Sequence, residues 1–242
     1  FFPSSQIGYA AGSQGTILKT LNGGITWNVF GSGIPSMIQS LYFHDANHGF
    51  AVGGFSGGYM YETVDGGLTW NEINVSATSF LQAITFSSTS TGYAVGWDGD
   101  IFKTTDGGTS WTQQTPVQVY GNMDVYFTDN ATGYIVGGSA SSAEIQKTID
   151  GGNSWFSQSP GISHGLIGLH FPSVNTGFAV GDAGTILSTS NGGGLSIPEL
   201  PSTAIDIELF PNPCETSFEL QFSSPLSSIE QVEIISGNGQ LV

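Results

Sequence analysis

The sequence contains no arginine and only three lysines against 19 acidic residues, which gives a formal net charge of −16 over 242 residues. A surface with so few cations cannot neutralise phosphates, so the composition argues against nucleic acid and anionic lipid as partners. Cys214 is the only cysteine, so neither an internal disulfide nor a cysteine-based zinc site can form within this sequence. No run of about 18 apolar residues is present, and we therefore expect no membrane insertion.

Glycine is abundant, and two short signatures recur five times at intervals of 41 to 44 residues. The first is Gly, an aromatic residue, two small or aliphatic residues and Gly, with a Phe six residues before it. Its copies begin at Gly8, Gly49, Gly92, Gly133 and Gly177, and the preceding residues are Phe2, Phe43, Phe86, Phe127 and Phe171. The second signature follows as KTLNGGITW, ETVDGGLTW, KTTDGGTSW, KTIDGGNSW and the weaker STSNGGGL. Such a period is typical of the blades of a β-propeller.

The second repeat shows the four strands of one blade. They are SLYFH, GFAVGG, YMYETV and TWNEINV, named strands a, b, c and d, with roughly alternating apolar residues. No segment has helical spacing of ten residues or more. We therefore predict an all-β protein, a β-propeller of four-stranded antiparallel blades. Four to five blades are visible, as part of a larger propeller.

The turn between strands c and d carries the second signature. Its Asp or Asn tolerates turn geometry and accepts backbone N–H groups, and the Trp that follows is expected to pack between blades. The turn residues are Asn22, Asp65, Asp106, Asp150 and Asn191, and the Trp residues are Trp27, Trp70, Trp111 and Trp155. The fixed place of these Asp and Asn residues in each repeat favours a structural role over a catalytic one.

This pattern resembles the Asp-box repeat of bacterial neuraminidases. Over residues 1–194 it is most similar to the propellers of the photosystem II assembly and stability factor family. The resemblance implies the fold and says little about function. Asp-box sialidases clamp the substrate carboxylate with three arginines, so the absence of arginine argues against that activity.

The end of the chain differs in composition. Residues 195–204 are predicted to form a linker, and residues 205–242 carry FPNP, alternating strands and VEIISGNGQLV. This segment resembles the type A C-terminal sorting domain of the type IX secretion system, which implies a β-sandwich, here truncated. The resemblance implies the outer-membrane secretion machinery as a partner. It also implies a protein secreted from, or attached to the outer surface of, a Gram-negative bacterium. We expect the chain to begin within a blade and to end within this domain.

Several acidic residues, one glycine-rich loop and the histidines are further candidates for chemistry. A glycoside hydrolase needs two facing carboxylates, and its candidates are Asp98, Asp100, Asp124, Asp129 and Asp182. The pair Asp98 and Asp100 lacks the further oxygen ligands of a calcium loop. The segment 54–58 matches G-x-S-x-G but precedes a strand rather than a helix. The four histidines lack metal-ligand spacing. We therefore assign no catalytic residue, metal or cofactor.

The loops that vary between repeats are the predicted binding surface. Turns alternate between the two ends of a blade, so the b–c loops and d–a connections lie opposite the Asp-box turns. Variable loops on a fixed scaffold are suited to recognition. Trp97, Asp98 and Tyr120 are the candidate contacts, although Trp97 would serve equally to cap its blade. We expect a non-enzymatic binding or adhesion module for a glycan, peptide or protein. The alternative is a secreted glycoside hydrolase.

Overall fold

A computed structural model describes residues 1–55, 57–77, 79–115, 121–139 and 141–193, together with two strands nearer the end of the chain. The chain divides into two compact units, Phe1–Ile197 and Pro198–Val242.

The first unit is a series of antiparallel sheets that follow one another along the chain, which confirms the predicted β-propeller fold. Each sheet is one blade, with strands in chain order. Blade 1 comprises β1 (Gly8–Ala11), β2 (Thr16–Thr20) and β3 (Asn28–Gly31). Blade 2 comprises β4 (Ile38–Phe43), β5 (Gly49–Gly54), β6 (Gly58–Thr63) and β7 (Asn71–Ile73). Blade 3 comprises β8 (Leu81–Phe86), β9 (Gly92–Gly96), β10 (Ile101–Thr104) and β11 (Thr112–Gln113). Blade 4 comprises β12 (Gly121–Phe127), β13 (Gly133–Ser139), β14 (Ser142–Thr148) and β15 (Phe156–Gln158). Blade 5 comprises β16 (Leu166–His170), β17 (Gly177–Gly181) and β18 (Ile186–Thr189).

The hydrophobic core lies between successive blades, because strand b buries both of its faces. In blade 2, Phe50 and Val52 pack with Ile84 and Phe86 of blade 3. Ala51, between them in sequence, points the other way and packs against blade 1. The alternation of a pleated strand thus gives each blade one side for each neighbour.

A stacked pair of aromatic rings joins each blade to the next. Tyr9 of blade 1 lies parallel to Phe43 of blade 2 with 3.8 Å between ring centroids. The same contact recurs as Phe50–Phe86 at 5.2 Å, Tyr93–Phe127 at 4.0 Å and Tyr134–Phe171 at 4.4 Å. The Phe of strand a and the aromatic residue of strand b are therefore the two halves of one interface, which explains their shared period.

Three of the four repeat tryptophans pack at these interfaces. Trp111 lies edge-on to Phe50 of the preceding blade, and Trp155 to Tyr93. Trp70 packs in the cluster that blades 1 and 2 share. Trp27 differs from the prediction, since its side chain is 37% exposed and contacts Phe2. Among the described residues, Phe2 is the only aromatic ring in contact with Trp27.

The Asp-box turns are closed by their own side chains. In blade 3, Asp106 Oδ1 accepts a hydrogen bond from the Ser110 N–H at 2.9 Å, and Thr104 Oγ1 accepts one from the Gly108 N–H at 2.9 Å. In blade 2 the same turn holds Thr69 through Asp65, so strand d begins at Asn71 rather than at Thr69 as predicted. The turn's hydrogen bonds occupy the residues that the sequence pattern assigned to the strand.

In the second unit the structure describes β19 (Ile207–Phe210) and β20 (Glu219–Phe222), which pair antiparallel. The rest of the predicted linker and sorting domain lies outside the described residues. In the part of the chain that is described, no helix has the length and apolar character needed to span a bilayer.

Candidate functional site

The two ends of the blades differ in chemistry. The a–b and c–d turns lie at one end, here called the Asp-box face, and the b–c loops lie at the other, here called the b–c face. All three lysines of the chain reach turns of the Asp-box face. Their ammonium groups donate to backbone carbonyl oxygens of the next blade's turn: Lys19 to Gly66 at 2.8 Å, Lys103 to Gly151 at 2.6 Å and Lys147 to Gly192 at 2.6 Å.

A tyrosine accompanies each of these lysines. The hydroxyl of Tyr93 donates to the same Gly151 carbonyl as Lys103, at 2.7 Å. The bonds from Tyr9 to Gly66 and from Tyr134 to Gly192 are equivalent, at 3.2 and 2.5 Å. Burial raises the pKa of Tyr93 to about 12, so this hydroxyl remains a donor at neutral pH. We call each pair a Tyr–Lys clamp. Because the clamps use all the cations, the lysines are not available to an anionic ligand at the b–c face.

The Asp-box carboxylates also accept hydrogen bonds within their own turns. Hydrogen bonds from Ser110 and Thr104 lower the pKa of Asp106 from 3.8 to about 2. Asp65 and Asp150 share this arrangement, and each also has a pKa of about 2. These bonds need the ionised carboxylate, which supports a structural role for the Asp box.

Acid should therefore weaken the fold. A carboxyl with a depressed folded-state pKa stabilises the fold above its ordinary pKa, and this contribution is lost as the pH falls from about 4 to about 2. We expect Asp106→Asn to reduce the slope of unfolding free energy against pH in this window, because it removes one of the carboxylates whose folded-state pKa is depressed. Urea unfolding at successive pH values measures the slope.

Asp98→Asn is the matched control, since Asp98 is exposed and accepts no hydrogen bond among the described residues. A slope unchanged by Asp106→Asn would contradict the assignment. The variant should still fold, because the chain already has asparagine at this position in Asn22, whose Oδ1 accepts the Thr26 N–H at 2.9 Å.

The b–c face is built from tight turns with an unusual backbone. In blades 1, 3 and 5 a short 3₁₀ turn joins strands b and c: Ser13–Gly15, Trp97–Gly99 and Asp182–Gly184. The middle residue of each is left-handed without being glycine, with φ of 56° at Gln14, 61° at Asp98 and 55° at Ala183. Such a conformation is costly for a residue with a Cβ, so the turn is held by its surroundings. The side chains of the turn therefore project from a backbone of fixed conformation.

Trp97 is a partly exposed aromatic side chain of this face. Its ring lies edge-on to Phe80, with 6.2 Å between centroids, and against the backbone of Gly121, the first residue of β12. The backbone N–H of Trp97 donates a hydrogen bond to the Phe80 carbonyl at 3.0 Å. With 42% of its surface exposed, the ring is anchored along part of its surface and open to solvent on the rest. Trp97 thus both covers the end of its blade and offers surface to a ligand.

Asp98 lies beside Trp97 and is exposed, whereas Tyr120, the third predicted contact, lies outside the described residues. Phe80, which supports Trp97, was not predicted. It belongs to no repeat column, and only its position just before strand a of blade 3 could have indicated a role. Phe55, in the b–c loop of blade 2, is a further exposed aromatic on this face that sequence reasoning did not select.

A chain of buried polar groups follows the Trp97 turn. Asp100 Oδ1 accepts from Gln113 Nε2 at 2.8 Å, and the Asp100 carbonyl accepts from Asn122 Nδ2 at 3.2 Å. Gln146 Nε2 in turn donates to Asn122 Oδ1 at 2.8 Å. Asp100, Asn122 and Gln146 are all nearly inaccessible to solvent, so the chain fixes blade 4 against the turn of blade 3.

The remaining acidic candidates do not converge. Asp124 is buried in β12 and accepts from the Leu169 N–H of blade 5 at 2.9 Å, and burial raises its pKa. Asp129 accepts from two backbone N–H groups in its own turn on the Asp-box face. Asp182 lies in the turn of blade 5. Within the described residues, no group of three or more His, Cys, Asp and Glu side chains is arranged to hold a metal ion.

The fold and its repeated turns define a propeller of Asp-box blades, and comparison with known proteins supports this class. The sequence model of the family described as photosynthesis system II assembly factor YCF48 matches residues 30–113, about a third of the chain. No curated protein sequence matches the chain significantly.

Three solved structures share the fold. The YCF48 protein from Cyanidioschyzon merolae is 20% identical with a TM-score of 0.59, covering 76% of this chain and 66% of that one. The GH74 enzyme from Niastella koreensis is 18% identical with a TM-score of 0.58, covering 74% and 33%. The computationally designed Ika8 protein is 15% identical with a TM-score of 0.55, covering 77% and 56%. The chain thus spans about two thirds of the first structure and a third of the second.

Proposed function

We propose that this chain is a non-enzymatic binding module whose b–c face contacts a polypeptide ligand through Trp97, Asp98 and Tyr120. The observation that carries the proposal is the Trp97 ring, anchored on Phe80 and Gly121 yet open to solvent. A fixed aromatic surface loses little conformational entropy on binding, and a neighbouring carboxylate adds a polar contact. The family matched over residues 30–113 is named for an assembly factor, and this supports a polypeptide rather than a glycan.

The contacts of the candidate acids favour this function over a glycoside hydrolase. Such an enzyme needs two carboxylates that face the scissile bond from opposite sides. Asp100 is instead buried and accepts from Gln113 of its own blade, and Asp124 accepts from the Leu169 N–H of blade 5. Asp129 closes a turn at the opposite end. The likeness to GH74 structures, at 18% identity or less, concerns the fold alone.

Selection from a phage-displayed library of random peptides tests the proposal. Peptides that bind the chain should bind Trp97→Ala about fivefold or more weakly, because losing a stacked ring costs ~1 kcal/mol or more. Asn22→Ala, at the opposite face, should leave the affinity unchanged. Peptides whose binding survives Trp97→Ala but is lost with Asn22→Ala would place the site on the Asp-box face. A chain that selects no peptide but binds an immobilised glycan would make the ligand a sugar.

We further propose that residues 205–242 belong to a type IX sorting domain and that the protein is secreted or displayed at the cell surface. The FPNP element and the strand pattern after it support this proposal. A full-length protein truncated after Thr203 should fold but accumulate inside the cell. Antibody detection of the propeller in the culture medium and in cell fractions measures this. Export of the truncated protein at the normal yield would refute it, and a full-length variant with Ser202 and Thr203 replaced by alanine is the control.

A further inference from the structure

The b–c face carries aspartates but no lysine or arginine. The chain has no arginine, and all three of its lysines donate to turns of the Asp-box face. The five b–c loops hold three aspartates and no cation: Asp98, Asp100 and Asp182. Among the four histidines, only His164 lies in a connection at this end of the blades. The lysines of the chain therefore leave the carboxylates of this face unbalanced.

Asp98 is available to a partner, whereas Asp100 is not. Asp100 is 4% exposed, and its Oδ1 accepts a hydrogen bond from Gln113 Nε2 at 2.8 Å. Asp98 is exposed and accepts no hydrogen bond among the described residues. Asp182 is also exposed, but it lies two blades away, in blade 5. The carboxylate that follows Trp97 in the chain thus lacks a partner of opposite charge within the described residues.

One face of the Trp97 indole is covered by backbone. A Cβ built on Gly121 would lie 3.3 Å from Cδ2 of the ring, 3.4 Å from Cε3 and 3.6 Å from Cε2. Because Cδ2 is bonded to both of the other atoms, three distances this similar place Gly121 above the plane of the ring rather than at its edge. Trp97 is nevertheless 42% exposed, which leaves surface for a group that stacks on the ring.

We propose that the polypeptide ligand of the b–c face presents an arginine, whose guanidinium stacks on Trp97 opposite Gly121 and pairs with the Asp98 carboxylate. The inference rests on the proposed function, because it takes Trp97 and Asp98 as contacts. An aromatic face attracts a cation through its quadrupole, and tryptophan does so best. Trp97 and Asp98 are consecutive, with Cα atoms about 3.8 Å apart, so one guanidinium can reach both side chains.

Arginine suits this pair of contacts better than lysine. Its guanidinium is planar, is more weakly hydrated than an ammonium and can stack on a ring while its N–H groups donate to a carboxylate. A lysine ammonium is a compact, strongly hydrated charge. The net charge of −16 also attracts a basic segment over a distance and speeds its association. Since the chain contains no arginine, the group comes from outside these 242 residues.

NMR titration of the complete 242-residue chain tests the inference. The probe is the blocked tripeptide glycyl-arginyl-glycine, compared with its lysyl analogue and with its citrullyl analogue, which keeps the shape of arginine without the charge. The measured quantity is the shift of the Trp97 indole N–H signal, assigned by its loss in Trp97→Phe. The arginyl probe should shift this signal saturably in the millimolar range and bind about fivefold or more tightly than either analogue.

Two substitutions of the same kind separate the local contact from the net charge. Asp98→Asn should weaken binding of the arginyl probe about threefold, as expected for the loss of an exposed ion pair. Asp106→Asn removes the same charge from the opposite end of the same blade, so it should leave the affinity unchanged. Equal effects of the two variants would overturn the pairing with Asp98.

Failure of this inference can be told apart from failure of the proposed function. No saturable shift with the arginyl probe, or equal affinity for the citrullyl probe, would overturn the inference. Library-selected peptides that lose binding with Trp97→Ala would in that case still support the proposed function. A Trp97-dependent response to the arginyl probe, combined with a library that yields no peptide, would support the arginine site and remove the proposed function.

Discussion

Replacing Trp155 by alanine should lower the free energy of unfolding by about 3–5 kcal/mol, because it removes a large side chain from a packed interface. Trp155 is only 7% exposed and lies edge-on to both Tyr93 of blade 3 and Phe127 of its own blade. The cavity would open between two blades whose backbones are fixed by their own hydrogen bonds, so little relaxation should fill it. Equilibrium unfolding in urea, followed by circular dichroism, measures the change.

Trp27→Ala is the matched control, since it removes the same side chain from the same place in the repeat. Trp27 is 37% exposed and contacts Phe2 in its own blade, so its loss should cost far less than the loss of Trp155. Equal destabilisation by the two variants would show that the tryptophans act within their own turns rather than between blades.

The fold could be predicted because the intervals between the repeated residues define where each strand lies. The Phe of strand a, the Gly-aromatic pair of strand b and the Asp box each return at nearly constant intervals, which fixes the strands without any alignment. The start of strand d could not be placed, because Thr69 and Trp70 suit both a strand and a turn. The hydrogen bonds from Thr69 to Asp65 decide in favour of the turn.

The partners across the blade interfaces were not predictable in the same way. Periodicity shows that Tyr93 and Lys103 occupy repeat columns, but not that both reach the carbonyl of Gly151 about 50 residues later. A signal was nevertheless present. The three repeats with Tyr in strand b also have Lys in strand c, whereas Phe50 is followed by Glu62, which instead pairs with His48 at 2.8 Å.

The candidate site was predicted in part. Alternation of antiparallel turns placed Trp97 and Asp98 on the face opposite the Asp boxes, since this needs only the strand order. The support from Phe80 and the hydrogen bond from Gln113 to Asp100 depend on side-chain directions across strands. Those directions cannot be inferred from the sequence alone.

Removing a Tyr–Lys clamp should destabilise the propeller by about 2–4 kcal/mol when both donors are lost. Hydrogen bonds from a neutral group contribute roughly 0.5–1.5 kcal/mol, and those from a charged group roughly 1.5–3 kcal/mol. Tyr93→Phe and Lys103→Met delete the donors while keeping most of each apolar side chain. Losing both leaves the Gly151 carbonyl without the two donors that reach it from blade 3. Urea unfolding of the wild type, both single variants and the double variant gives the coupling energy.

We expect the double variant to cost more than the sum of the two single changes. Each single variant leaves one donor on the Gly151 carbonyl, so only the second loss deprives it of both. Glu62→Gln is the control, because it changes the equivalent strand c residue in the one interior blade that has Phe50 instead of tyrosine and no clamp. Strict additivity with small effects would mean that solvent replaces the donors and that ring stacking alone joins the blades. A large, non-additive loss would identify the clamp as the contact that fixes the register of one blade against the next. The b–c face and its Trp97 turn depend on that register.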